Sequence, residues 1–234
     1  LTRLLPNLPY TAIRQSIDRG LHWFGFSDFT AFQLAVLART GRVTWAGPAL
    51  CDSFGVNADS GVDDITYDCF NDVLSEQGEG TGWRMGLKAA RGLMSRKSGV
   101  WARNAQLWGG NLTVLCSLLG TNYFPKIRGG VLFLEDVGEH PYRIERLLSQ
   151  LLHAGVLAQQ KAIILGQFTE YRLTEHDQRF GMPTVLAWLR SQLKAPILTD
   201  LPFGHVATRV SLPVGARVDL LVEGRDVMMV WGHL

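Results

Sequence analysis

The sequence predicts an α/β fold, and three observations support that class. A strand, a helix and a second strand follow one another between residues 20 and 48. The apolar runs GGVLFLE and AIILGQF, residues 129–135 and 162–168, enclose a strongly amphipathic segment. Residues 209–232 alternate short apolar runs with glycines, which is typical of a β-meander. Helices between successive strands predict a parallel layer, and the tail predicts antiparallel strands beside it.

The first strand is predicted over residues 20–26, because GLHWFGF is short, aromatic and apolar. Residues 28–39 predict a helix that stops at Gly41. Its apolar positions at helical spacing are Ala31, Leu34, Ala35 and Ala38. The segment RVTWAGP predicts a second strand that ends at Pro48.

Residues 53–82 differ in composition from the segments before and after them. GVNADSG and SEQGEGTG are turn and linker signals, with a predicted helix, DDITYDCFNDVL, between them. We therefore expect a domain boundary near residue 85. It divides the chain into residues 1–85 and residues 86–234.

The second half contains the clearest helix of the chain, PYRIERLLSQLLHAG. Pro141 suits its first turn and Gly155 its end. Its apolar face consists of Ile144, Leu147, Leu148, Leu151 and Leu152. Arg143 and Arg146 fall on the opposite, polar face, where solvated or ion-paired roles are expected. PTVLAWLRSQL predicts another helix from Pro183, and PILTDLPFGH a strand followed by a loop.

The composition excludes several classes of function. A net charge of +2 gives no basic field for nucleic acid, and the basic run over residues 84–97 predicts a solvated, mobile face. Three widely spaced cysteines predict neither disulfides nor a metal site, and fit a cytosolic protein. No apolar run approaches the ~18 residues of a membrane span. The start, LTRLLPNLPY, has no signal-peptide pattern and no Met, so we expect a fragment or a processed chain.

Ser27 is the first candidate for chemistry. It follows Gly25 at a strand-to-helix turn, which resembles a nucleophile elbow, G-x-S-x-G, although Phe29 stands where the second glycine belongs. A helix N-terminus there offers N–H groups to a developing oxyanion. The alternative is that Ser27 or Asp28 caps the helix, and this stretch alone favours the cap.

His205 and Glu135 are the other two candidates. His205 follows a Pro/Gly loop that leaves a strand, where catalytic groups are often placed; the alternative is an ordinary surface histidine. Glu135 closes a buried strand and either orients a histidine or emerges into solvent. His22, His153 and His233 are expected to be structural. His140 could cap the long helix, and His176 lies in a charged loop.

Other known motifs are missing from the sequence. It has no HExxH, EF-hand, P-loop or GxGxxG pattern, and no spacing of His, Cys and acidic residues favours a metal. The glycine pairs at 109–110 and 129–130 indicate turns or close packing.

Several segments taken together resemble the LD-carboxypeptidase family of serine peptidases. They are GFSDFTAFQLAVLARTGRVTWAGPAL, LWGGNLTVLCSLLGT, FPKIRGGVLFLEDVGEHPYRIERLLSQLLHAG, KAIILGQF and DLPFGH. They occur in the order of the family and cover most of the chain. The resemblance implies a flavodoxin-like N-terminal α/β domain, here truncated, and a swivelling β/α C-terminal domain.

The resemblance also assigns roles to the three candidates. The serine of the family's G-x-S-D-x-T elbow corresponds to Ser27, the glutamate of its LED strand end to Glu135, and the histidine of its FGH loop to His205. The backbone N–H of Asp28 is implied as an oxyanion donor. The order Ser, Glu, His implies a site across a domain cleft, with no metal and no cofactor.

The implied activity is release of the terminal D-alanine from cell-wall tetrapeptides by a bacterial, cytoplasmic homodimer, without nucleic-acid or membrane partners. A second reading within the family is a microcin C self-immunity peptidase, which cuts a peptide–nucleotide antibiotic with the same triad. A third is a non-catalytic binding or oligomerisation module.

One departure from the family concerns the oxyanion hole. The family has a further α/β segment before TRLL, and its R-G-G-Y-G turn lies beside the elbow and supplies part of that hole. Here Leu1 follows directly where that turn would end. Loss of one donor typically costs on the order of 3 kcal/mol in the barrier. We expect this chain to be impaired unless the turn is supplied.

Overall fold

The computed structural model describes residues 1–55, 61–93 and 96–234. The α-helices are α1 Tyr10–Asp18, α2 Thr30–Thr40, α3 Asp64–Leu74, α4 Leu87–Ala90, α5 Leu112–Ser117, α6 Pro141–His153 and α7 Met182–Gln192. The strands are β1 Phe24–Gly25, β2 Thr44–Ala46, β3 Gly80–Arg84, β4 Gly99–Asn111, β5 Val131–Val137, β6 Ala162–Thr169, β7 Ile197–Leu198, β8 Leu212–Val214, β9 Arg217–Glu223 and β10 Asp226–Val230.

The smaller sheet has the order β1–β2–β8 in the described part of the chain. β1 and β2 are parallel, with Phe24 opposite Trp45, and β8 adds antiparallel to β2. The strand–helix–strand order around α2 therefore gives the predicted parallel pair. Both strands are shorter than expected, because only residues 24–25 and 44–46 form strand pairs.

Helix α2 follows β1 after a single 3-10 turn over Ser27–Phe29. It ends as predicted at Gly41, which adopts the left-handed conformation at φ 68°. Residues 30–37 are all buried, so the helix lies in the interior rather than on the surface. This burial fixes the elbow at its N-terminus against the core.

The larger sheet has the order β3–β10–β9–β4–β5–β6–β7. Strands β4 to β7 are parallel, and β3, β10 and β9 continue the sheet antiparallel. The carboxyl ends of the parallel strands meet at one edge, where Asn111 of β4 lies opposite Glu135 of β5. Ligands of open α/β sheets bind at this edge.

Three strands differ from the sequence prediction. β3 lies in the segment predicted as linker, and it forms because it pairs with β10 and buries Trp83. β4 was not predicted as a strand. β8 lies in the predicted meander but leaves the β9–β10 hairpin and pairs with β2. In all three, distant pairing outweighs a weak local signal.

The glycine pair at 109–110 belongs to the interior of β4. A Cβ on Gly109 would lie 1.8 Å from the carbonyl oxygen of Phe133 on β5. Of the two alternatives, a turn or close packing, the structure selects close packing for this pair.

Helix α6 buries Ile144, Leu148 and Leu151, and His140 caps it as predicted. The basic run over residues 84–97 was expected to be a solvated face, but part of it is buried. Arg84, Lys88, Arg91, Arg96 and Lys97 are exposed, whereas Met85, Ala90 and Leu93 between them are buried. The run therefore covers part of the core with a basic outer face. Residues 94–95 lie outside the described residues.

The buried side chains of the two sheets belong to one hydrophobic cluster. It contains Trp45 and Leu212 from the smaller sheet and Trp108 and Phe133 from the larger. A smaller cluster of Ile13, Phe32 and Val36 packs α1 against α2. Within the described residues, no helix is long and apolar enough to cross a membrane.

Candidate active site

Ser27 occupies the sharp turn between β1 and α2. Its φ of 59° is unusual for a residue with a side chain and indicates local strain. Gly25 is required two residues earlier, because a Cβ there would lie 2.5 Å from the ring of Phe29. The helix-cap alternative is wrong, since Phe29 takes the N-cap position of α2 and no side chain caps it. The turn presents a hydroxyl instead of capping a helix.

His205 contacts Ser27 from a loop that joins β7 to β8. Its Nε2 lies 3.0 Å from the Oγ of Ser27, and its Nδ1 lies 2.9 Å from Oε2 of Glu135. A carboxylate can only accept, so Nδ1 carries the proton and Nε2 accepts from the serine hydroxyl. The three candidates, distant in sequence, form one hydrogen-bonded relay.

Glu135 does not end its strand or emerge into solvent. Strand β5 continues to Val137, and the side chain of Glu135 is 0% exposed. The register between β5 and β6 shifts between Leu134 and Asp136, and such an irregularity re-aims a side chain. The carboxylate therefore reaches His205 from inside the protein.

Two glycines allow the histidine loop to approach Glu135. Gly204 has a φ of 135°, and a Cβ there would lie 3.2 Å from Oε2 of Glu135. A Cβ on Gly166 would lie 2.5 Å from the carbonyl oxygen of Phe203. Side chains at either position would push the loop away from the carboxylate.

The surroundings of His205 act on its basicity in opposite directions. The hydrogen bond and charge of Glu135 raise the pKa of His205 above its ordinary value of 6.5. Burial of the ring and the charge of Arg209 lower it. The net direction is upward, as expected for an imidazole bonded to a buried carboxylate.

The backbone N–H of Asp28 is available beside the hydroxyl. It donates to no carbonyl in the described part of the chain, whereas the next N–H, of Phe29, donates to Phe26. The side chain of Asp28 is 64% exposed and points away from the core. Of Asp28, only the main chain therefore lies close to the hydroxyl.

A second buried carboxylate, Asp136, was not singled out from the sequence. It accepts from Asn111 Nδ2 at 3.0 Å, from Thr113 Oγ1 at 2.7 Å and from two backbone N–H groups. The N–H of Asn111 in turn donates to Thr30 Oγ1 at 3.0 Å. This network ties β4, β5 and the start of α2 together under the relay. The adjacent acids in the segment LED were its signal in the sequence.

Arg209 was also missed, because a single arginine after a loop carries no sequence signal. Only 3% of the residue is exposed, and its guanidinium lies 3.7 Å from the ring centre of Phe26. Beside it, a cavity of about 530 Å³ opens next to His205. Its charged lining consists of Asp52, Asp63, Glu170 and Arg209.

The remaining histidines lie away from the relay. His22 packs edge-on against Trp45, and His140 pairs with Asp177 at 3.0 Å. His233 pairs with Glu79 near the chain end. His153 closes α6, and His176 lies in a 3-10 turn. Over residues 1–55, 61–93 and 96–234, no group of three His, Cys, Asp or Glu side chains could hold a metal ion.

Comparison with known proteins identifies the family. Residues 104–220 match the LD-carboxypeptidase C-terminal domain. The structure of muramoyltetrapeptide carboxypeptidase from Oxalobacter formigenes superposes with a TM-score of 0.85 at 36% identity, covering 99% of this chain and 74% of that one. The chain belongs to the LD-carboxypeptidase family.

Two further members of the family differ in what their names describe. A probable murein peptide carboxypeptidase of Bacillus subtilis is 30% identical over 92% of this chain and 63% of its own length. The microcin C7 self-immunity protein MccF of Escherichia coli is 28% identical over 99% of this chain and 71% of its own length. The chain thus spans less than two thirds of the Bacillus relative. A structure of MccF with glutamyl sulfamoyl guanosine superposes with a TM-score of 0.78 at 26% identity, covering 100% of this chain and 73% of that one.

Proposed function

We propose that this protein is a serine LD-carboxypeptidase that releases the terminal D-alanine of murein tetrapeptides. The observation that carries the proposal is the hydrogen-bonded relay of Ser27, His205 and Glu135. Its geometry matches the order nucleophile, base and orienting acid that acyl transfer requires. Family membership and the murein peptide carboxypeptidase among the relatives support the substrate class.

The chemistry follows from the direction of each hydrogen bond. His205 Nε2 takes the hydroxyl proton while Ser27 Oγ attacks the carbonyl carbon of the bond to D-alanine. Glu135 holds the ring in the tautomer that leaves Nε2 free and stabilises the imidazolium that forms. His205 then returns the proton to the leaving amine, and the acyl-enzyme forms. A water molecule, deprotonated by the same nitrogen, releases the shortened peptide.

The backbone N–H of Asp28 donates to the oxygen of the tetrahedral intermediate. It lies next to the nucleophile at the start of the turn, and it has no carbonyl partner among the described residues. A donor fixed in this way needs no reorganisation when charge develops, which is why such groups lower the barrier.

Replacement of the nucleophile tests the assignment. Ser27→Ala in the full-length protein should lower kcat for D-alanine release by roughly a millionfold, because the acyl-enzyme cannot form. A serine-directed acylating probe should label the unchanged protein and not the variant. The matched control is Ser191→Ala, an exposed serine on α7. Near-normal release by the Ser27 variant would exclude the assignment.

The MccF relatives support a second candidate function, hydrolysis of a peptide–nucleotide conjugate. The relay serves either reaction, so it does not distinguish them. The decisive measurement is kcat/KM for a murein tetrapeptide against an aminoacyl-adenylate analogue under the same conditions. We expect the tetrapeptide to be preferred. Preference for the adenylate would assign the protein to the second function.

We also propose that the site lies between two units, residues 1–85 and 86–234, in a cytoplasmic homodimer that takes part in cell-wall recycling. Ser27 belongs to the first unit, and Glu135 and His205 to the second. A binding or oligomerisation module without catalysis is the remaining alternative. The labelling experiment on Ser27 distinguishes it from the enzyme.

A further inference from the structure

Arg209 is a buried cation that the reaction described above does not use. Its Nε donates to the carbonyl oxygen of Gly204 at 2.8 Å, and one Nη donates to that of Val206 at 3.2 Å. The other Nη donates to Asp52 at 2.8 Å and to Ser53 at 2.7 Å. The two carbonyls belong to the residues directly before and after His205. The guanidinium therefore fixes the main chain on both sides of the base.

The same guanidinium packs on the elbow. It lies 3.7 Å from the ring centre of Phe26, the residue before Ser27, which is close for a cation on an aromatic face. The ring of Phe26 also packs against His205, with 5.0 Å between ring centres. One side chain thus contacts the segments that carry the nucleophile and the base.

We propose that Arg209 is a positioning residue. It holds the main chain around His205, and the ring of Phe26 next to Ser27, in the arrangement that proton transfer requires. The inference rests on the proposed function, in which His205 is the base. It goes beyond that function because Arg209 touches neither the Ser27 hydroxyl nor the Glu135 carboxylate. Only the planar guanidinium fork can donate to two loop carbonyls and a carboxylate while stacking on a ring.

The charge of Arg209 also acts on the pKa of His205. Glu135 and Asp136 of β5 raise the pKa of His205, whereas Arg209, on the loop of His205 itself, lowers it. The carboxylates of Asp52, Asp63 and Glu170 line the cavity beside the ring. Asp52, which balances the guanidinium, is 54% exposed, so its own field is partly screened by solvent. Arg209 therefore favours the neutral imidazole that accepts the serine proton.

Two substitutions separate the positioning effect from the charge. Arg209→Lys keeps the charge but cannot reach both carbonyls and Asp52, so kcat should fall on the order of 10- to 100-fold while KM changes far less. Arg209→Met removes the charge as well, so the pKa of His205 should also rise. That pKa is measured by NMR titration of the His205 ring, with the pH profile of kcat/KM beside it. The control is Arg143→Met, an exposed arginine that pairs with Glu139.

Wild-type kcat in either Arg209→Lys or Arg209→Met would overturn the proposal. Circular dichroism and thermal unfolding verify that each variant folds. If Arg209→Met does not fold, the kcat and KM of Arg209→Lys decide alone. The proposed function fails differently, through activity that survives Ser27→Ala, and the NMR titration needs no turnover.

Discussion

At the scale of single residues, the site depends on the position of one proton. Glu135 is fully buried and bonded to Nδ1 of His205, so the opposite nitrogen is free to accept. The strained backbone of Ser27 holds its hydroxyl at that nitrogen, 3.0 Å away. Strain of this kind persists only where the surrounding packing maintains it, and here the buried helix α2 does so.

The pH dependence of activity tests this arrangement. His205 must be neutral to accept a proton, and its pKa is raised above 6.5. Activity is therefore lost as the pH falls through that raised pKa, and the acidic limb of the kcat/KM profile should have its midpoint above pH 6.5. Glu135→Gln should lower kcat about 10³–10⁴-fold, because the amide no longer selects the tautomer. It should also move the acidic limb to lower pH.

Glu139→Gln is a suitable control, since Glu139 follows the same strand but pairs with the exposed Arg143 instead of a histidine. An acidic limb that stays in place in Glu135→Gln would show that Glu135 does not set the basicity of His205. The readout is steady-state kinetics across the pH range at constant ionic strength.

At the scale of elements, the glycines of β4 decide how closely the strands and α2 approach. A Cβ on Gly110 would lie 2.4 Å from Oγ1 of Thr30. This hydroxyl accepts a hydrogen bond from the backbone N–H of Asn111. Gly110 has a φ of 129° and Gly99, at the other end of the strand, has a φ of 135° with open space around it. The two positions differ mainly in what surrounds them.

This pair gives a matched prediction. Gly110→Ala and Gly99→Ala incur the same backbone strain, but only the first meets a neighbour. Gly110→Ala should therefore lower the free energy of unfolding by about 1–3 kcal/mol more than Gly99→Ala. It should also reduce activity, because Thr30 starts the helix behind the elbow. Equal losses in urea unfolding would contradict the close approach.

Elements with a strong local pattern were predicted well, and those without one were not. The apolar face of α6 repeats at helical spacing, and α6 has the expected bounds within two residues. β3 and β8 contain glycine or proline and only a few apolar residues, and both form through partners far away in the chain. A pattern of three to five residues does not specify such a partner.

At the scale of the whole molecule, the loop of His205 connects the two sheets. It leaves β7 of the larger sheet after Leu198 and enters β8 of the smaller sheet at Leu212. Glu135 belongs to the larger sheet, and Ser27 follows β1 of the smaller one. The three residues of the relay therefore lie within hydrogen-bonding distance only when both sheets pack on their common core.

Substitution in β8 tests this coupling. Leu212 is fully buried, so Leu212→Ala should lower the free energy of unfolding by about 2–5 kcal/mol. Because the core is continuous, fluorescence and circular dichroism should report one shared transition. The control is Leu87→Ala, where the side chain is 66% exposed and little change is expected. Two separate transitions would indicate that the sheets unfold independently.

The sequence by itself determined the α/β class, the main helices and the candidate catalytic residues. Hydrophobic periodicity and short polar motifs depend on neighbouring residues, so they can be recognised in the sequence alone. The family resemblance implied that Ser27, Glu135 and His205 share a site, but only the tertiary structure decided their hydrogen-bonded geometry. It alone also decided that Asp136 lies beneath them and that Arg209 links base and elbow. The contact between Ser27 and His205 alone joins residues 178 positions apart. These contacts depend on strand register and on glycines that let backbones approach, which no local pattern encodes.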